Sequence, residues 1–276
     1  MGLRLSVTLL TVIPWRGAGD DAMPGGDAVP GGDTVPPRAA AGAAMAWAPA
    51  VGLLLGVIAS SVLLLADHPL GAGPLTASGL AVGSLALLTR GLHLDGLADL
   101  ADGLASGKAA PAALDIMRRS DIGPLGVVTL VLTLLLQVAA LSQAESAGHG
   151  RGPAALIAAV VTGRLALTWA CRRGVPAARP DGLGALVAGS VRPVVPATAT
   201  AATLAAAAAA VATSAVAGGR LGWTLPLAVA AGLAAAFAVQ RHAVRRLGGI
   251  TGDVLGALTE IATTVTLVVA AMGPPA

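Results

Sequence analysis

The sequence predicts an all-α, polytopic integral membrane protein: a helical bundle of about seven transmembrane helices with an N-terminal interfacial or re-entrant helix. Three observations carry this. The chain has 276 residues and is 55% hydrophobic but only 11% charged, against about 25% charged in an average soluble domain. Its apolar residues gather in runs of the length a bilayer demands, about 20 residues each. Its basic residues then alternate along the chain as membrane topology requires.

The elements follow in order. The opening MGLRLSVTLLTVIPWRG holds one short apolar run before Pro14. It is too short for a span of about 20 residues, and it lacks the small-residue site of a cleaved signal. An interfacial or re-entrant helix fits it better. Residues 18–37 repeat Pro-Gly-Gly-Asp at 24–27 and 30–33. Such sequence buries too little apolar area to order itself, so a flexible loop with solvated acids is expected. Seven candidate spans come next, at about 39–66, 74–90, 122–142, 153–171, 195–217, 222–239 and 254–272. Each must be helical, because lipid offers no partner to backbone polar groups. One membrane domain over 1–276 is therefore expected.

Lys and Arg test that count. With Arg90 counted in the third, the successive connections, from the N-terminal 1–38 to the tail, hold three, none, four, one, four, one, three and no basic residues. The high-count side carries 14 of the 17, and Arg164 lies inside a span. The positive-inside rule then predicts that the N-terminus and the 91–121, 172–194 and 240–253 connections are cytoplasmic. An extra or missing span would break the alternation.

Composition also excludes functions. A pI near 10.4 without interleaved aromatics is topological charge rather than a nucleic-acid surface, so the lipid bilayer is the expected macroscopic partner. The single Cys171 permits no intrachain disulfide and reads as a small apolar filler. No GxSxG, HExxH, Walker or Rossmann pattern stands in a fitting context.

The unusual polar sequence falls on the basic side. GLHLDGLADLADGL, 91–104, sets Asp95, Asp99 and Asp102 at helical spacing on one face. Three carboxylates this close repel unless a cation neutralises them, and the surrounding leucines are too apolar for a solvated helix. A hard divalent cation with oxygen ligands is the sharper reading. Gly96 and Gly103, each directly after an aspartate, would leave room for a phosphate. His93 suits a hydrogen-bonding or positioning role. LDIMRRSDIGPLG, 114–126, adds Asp115, Arg118, Arg119 and Asp121; ARPDGLGALV, 178–187, adds Arg179 and Asp181. LGGITGDVLGALTE, 247–260, adds Gly252, Asp253 and Glu260, with Glu260 about two turns into the membrane. Arg164 is expected to face the bundle interior, snorkelling or pairing with an acid. Acids, arginines and glycines on one membrane face suit a metal-plus-phosphate site.

These segments, with the early PAVGLLLGV, resemble the cobalamin (5′-phosphate) synthase family, the adenosylcobinamide-GDP ribazoletransferases. The resemblance runs from LTVIPW to the final span, and the 18–37 segment looks like an insertion. It implies a multi-pass inner-membrane, Mg²⁺-dependent transferase acting on the cytoplasmic side. Such an enzyme joins adenosylcobinamide-GDP to α-ribazole 5′-phosphate or α-ribazole and releases GMP. On that reading Asp95, Asp99 and Asp253 hold Mg²⁺, and Asp102 is the candidate base. His93, Arg118, Arg119, Arg179 and Gly252 bind phosphate or substrate, and Asp181 and Glu260 are further candidates. Self-association, or association with other cobalamin-assembly enzymes, stays open. Two rival expectations are a CDP-alcohol-type phosphotransferase and a transporter that couples ions through Asp253 or Glu260.

Overall fold

The computed structural model describes residues 6, 7, 10, 11, 38–148, 150–216 and 223–272. The expected 18–37 loop lies outside them, as does most of the expected N-terminal helix. Of the latter, residues 6, 7 and 10 are helical, with Val7 and Leu10 buried.

From residue 38 on, ten helices follow, and among the described residues there is no strand beyond two isolated bridges. They are α1 (Arg38–Asp67), α2 (Pro74–Leu88), α3 (Leu92–Ala105), α4 (Ala110–Ile116), α5 (Pro124–Ser146), α6 (Arg151–Ala170), α7 (Gly182–Val187), α8 (Val194–Val216), α9 (Thr224–Leu247) and α10 (Gly252–Ala271). Six are long and apolar enough to cross a bilayer, and the bent pair α2–α3 offers a seventh crossing. Two expected boundaries shift. α9 runs on to Leu247, so most of the expected 240–253 loop is helix. It stops at Gly248, whose φ of 86° is open to glycine. The 74–90 span ends at Leu88, because Arg90 (φ 54°) and Gly91 (φ 66°) are both left-handed and turn the chain. α3 therefore leaves α2 at 88°.

Small residues set the packing, since lipid tails give apolar side chains no reason to seek each other. α6 and α10 form the centre. A Cβ at Gly163 of α6 would lie 2.8 Å from the Thr259 carbonyl oxygen of α10. α1 closes on α6 through Gly52 and Gly56, one turn apart. Cβ atoms there would lie 2.9 Å from the Val160 oxygen and 3.0 Å from the Ile157 Cα. Gly232 brings α9 as close to Ala262 of α10. On the other flank α3 and α5 pack against α10. α8 is peripheral, with only Pro196 and Ala207 buried. Leu53, Leu65, Leu132 and Leu135 point outward, which suits a lipid surface and no aqueous one.

A candidate active site at one end of the bundle

The connections predicted to share a side meet at one end, around a cavity of about 460 Å³. Leu10 and Met45 come from the N-terminal part, His93 and Asp95 from α3, and Arg118 from the α4–α5 link. Arg179, Asp181, Gly252 and Asp253 complete the polar wall.

Backbone contacts hold these pieces in register. The 172–191 loop is closed by a bridge between Arg172 and Val191 and tied to the start of α10 by one between Ala177 and Ile250. Ala178 N–H donates to Ile250 O at 3.0 Å, and Ile250 N–H to Pro176 O at 2.9 Å. Gly184 lets α7 reach Ile250 and Thr251, at 2.6 and 2.8 Å from where its Cβ would stand. Arg179 thus faces Asp253 although they are far apart in sequence, and its guanidinium also donates to Leu114 O. Thr251 caps α10, its hydroxyl accepting from Val254 N–H at 3.2 Å and donating to Asp253 at 3.2 Å. That cap was legible as Thr before an apolar run, but the sequence reading passed over it.

The acids divide. Asp95 is exposed at the cavity and Asp253 is half-buried opposite. Asp99 is half-buried one turn further along α3. Burial, then the charges of Asp95, Asp253 and Asp102, raise its pKa to about 7, and Arg179 opposes them. Asp102 does not line the cavity. Its carboxylate accepts from Gly123 N–H at 2.7 Å and Gly126 N–H at 2.8 Å, at the N-terminus of α5. A Cβ on either glycine would collide with that carboxylate. With both oxygens on backbone amides, this geometry suits an anchor and not the base its sequence suggested.

The other expected residues also separate. Arg118 pairs with Asp181 through one nitrogen, at 2.8 and 3.0 Å from its two oxygens, at the exposed rim. Arg119 is exposed and off the cavity wall. His93 is buried in that wall, and its Nε2 has no hydrogen-bond partner. Glu260 lies deeper, accepting from Gln137 at 2.8 Å beside the buried Arg164. Gln137 gave no sequence signal, being one amide in an apolar helix. Gly96 and Gly103 make room for protein rather than phosphate. A Cβ on Gly96 would lie 2.8 Å from Asp253 O, and one on Gly103 would lie 2.5 Å from the Met117 side chain. Gly256 answers Gly96 from α10, 3.0 Å from His93 O by the same measure. These glycines press the aspartate helix onto the start of α10.

Asp95, Asp99 and Asp253 offer only oxygen donors. They do not close into a set within 4.8 Å, since among the described residues only one group of acids and histidines does so, and it lies elsewhere. Such an open, all-oxygen, mutually repelling set fits Mg²⁺, which keeps waters and takes one or two carboxylates plus substrate phosphates. It fits a caged metal poorly.

Comparison with known proteins gives the chain's relatives. The family model described as Cobalamin-5-phosphate synthase matches residues 2–271. An adenosylcobinamide-GDP ribazoletransferase of Frankia casuarinae is 44% identical over 282 residues, covering 99% of this chain and 95% of the relative. Proteins of the same name from a Nocardioides species and Bradyrhizobium diazoefficiens are each 39% identical. They align with 81% and 82% of this chain and with 84% and 82% of their own lengths. No solved structure matches. With the match running from the N-terminus through α10, the chain belongs to the cobalamin-5-phosphate synthase family.

Proposed function

We propose that the protein transfers the adenosylcobinamide phosphoryl group from adenosylcobinamide-GDP to α-ribazole or its 5′-phosphate, releasing GMP. The observation that carries this reading is the convergence of Asp95, Asp253 and Arg179 from three distant segments on one cavity, in a chain matching the family end to end. In the reaction a ribose hydroxyl oxygen bonds to the phosphorus attached to cobinamide. The bond from that phosphorus to the bridging oxygen breaks, and GMP leaves with the oxygen. The hydroxyl proton passes to a carboxylate or to water.

Asp95, Asp99 and Asp253 are the residues that would hold Mg²⁺; when bound, it neutralises charge on the pyrophosphate oxygens. Arg179 holds a phosphate from the wall. Arg118 joins it after leaving Asp181, at little cost, since an exposed ion pair is worth about 0–1 kcal/mol. Gly252 opens the first turn of α10, where backbone amides favour an anion. Asp102 pins α3 to α5 and so sets where Asp95 and Asp99 stand. The cavity suits the diphosphate and a nucleoside, with the corrin at its mouth.

The reaction takes place at the cytoplasmic face of the inner membrane in this reading, because the arginine-rich connections meet at the cavity. The test is GMP release by membranes supplied with adenosylcobinamide-GDP, α-ribazole and Mg²⁺, with a CDP-lipid as the competing donor. Asp95→Asn removes GMP release and leaves the protein folded. Near-normal release by that variant, or transfer from the CDP-lipid alone, refutes the proposal.

A further inference from the structure

At the opposite end of the bundle, Asp67 closes α1, His68 follows it, and Glu145 stands in the last turn of α5. One ligand atom from each lies within 4.8 Å of the other two. Met45 of the cavity wall and Asp67 are both on α1, roughly 33 Å apart at 1.5 Å per residue. The cluster is thus remote from the phosphate chemistry.

Four features set it apart from a solvated acidic patch. The Glu145 side chain is only 6% exposed, yet its carboxylate makes no hydrogen bond among the described residues. His68 Nε2 approaches Glu145 Oε1 at 3.6 Å, too long for a hydrogen bond. Two donors each about 2.1 Å from one tetrahedral ion stand roughly 3.4 Å apart, so this spacing matches shared coordination. Gly152, in the first turn of α6, makes room for the Glu145 carboxylate, because a Cβ there would collide with Glu145 Oε2. The Asp67 carboxylate has no hydrogen bond or ion pair among the described residues, so two acids converge with one exposed imidazole.

We propose that Asp67, His68 and Glu145 form a binding site for a first-row transition-metal dication of the Zn²⁺ type, which ties the end of α1 to the α5–α6 turn. One imidazole nitrogen with two carboxylates suits Zn²⁺ or Co²⁺ and disfavours Mg²⁺, which seeks oxygen alone. The His68 side chain is 66% exposed, so an ion can enter without unfolding.

The experiment uses the full chain in detergent, stripped of metal with a chelator. Co²⁺ is titrated and followed by its visible absorption, and Zn²⁺ is followed by calorimetry and thermal unfolding. Wild type binds one equivalent at this site, and Zn²⁺ at 100-fold excess over Kd raises Tm by roughly 5 °C. His68→Ala, at an exposed position, folds and keeps GMP release in Mg²⁺, but loses the cobalt spectrum and the Zn²⁺-dependent rise. Glu145→Gln, close in shape, also loses both. An unchanged Zn²⁺ response in His68→Ala overturns the proposal, as does wild type with no such response. Loss of the response in Asp95→Asn alone puts the ion in the acid cavity and overturns it equally.

Discussion

Asp102 is where the sequence and the structure suggest different tasks, and Asp102→Asn separates them. In the fold, both carboxylate oxygens accept backbone N–H bonds, at 2.7 and 2.8 Å, from Gly123 and Gly126. Hydrogen bonds to a charged group contribute about 1.5–3 kcal/mol each. Asparagine keeps one acceptor but turns an NH₂ group toward the second backbone donor. One bond is lost, and two donors then face each other at a helix N-terminus that favours negative charge. A loss of about 2–4 kcal/mol follows, or roughly 5–10 °C in Tm at this chain length. Activity should fall with α3 alignment, in step with stability. A general base behaves otherwise: its removal costs about 10²–10⁴ in kcat with the fold intact. The assay pairs thermal unfolding in detergent with GMP release well below Tm. Gly126→Ala is the companion variant, since its added Cβ would displace the same carboxylate while leaving it chemically present. It should lower Tm as Asp102→Asn does. An Asp102→Asn protein with Tm within about 1 °C of wild type and kcat down 100-fold or more would refute the anchoring argument.

Four further outcomes are expected. Mg²⁺ should bind about tenfold more weakly at pH 6 than at pH 8, because Asp99, with its pKa near 7, must lose its proton to serve as a ligand. The same shift makes the metal-free fold lose stability as pH rises from about 4 to 7, since the folded state keeps a proton that the unfolded chain has released. Calorimetry and thermal scans across that range check both signs, and a flat profile contradicts them. Gly52→Val should cost about 1–3 kcal/mol by forcing α1 off the Val160 backbone, measured as a lowered midpoint of unfolding; no change would refute the close-packing account. A reporter fused at Ala147, in the α5–α6 turn, should read as non-cytoplasmic, and a cytoplasmic signal would overturn the orientation.

The crossing helices were legible because bilayer thickness imposes one length on every span and the positive-inside rule adds an independent check. What stayed hidden was where a helix bends or overruns. Nothing in the apolar pattern marks the left-handed pair at Arg90 and Gly91 that swings α3 aside. Likewise α9 crosses the expected boundary without a break, because Gln240, Arg241 and His242 continue the helix into the polar zone.

At the site, residue types were legible and partners were not. Asp95, Asp99 and Asp102 share a stripe, so periodicity grouped them as one chemical set. Periodicity is blind to what each meets across the gap. Asp95 meets open cavity, while Asp102 meets two amides that only glycines can present so closely. The glycines were misread for the same reason. Gly96 next to an aspartate looks like room for a ligand, yet Asp253 of α10 fills that room. Its effect on chemistry is therefore indirect and larger than that of a vacant spot. By letting two helix backbones touch, Gly96 and Gly256 fix the separation between Asp95 and Asp253, on which any shared cation depends. A side chain at Gly96 would push those carboxylates apart without altering either one. The motif places charge at some positions and closeness at others, and only the three-dimensional contacts tell them apart.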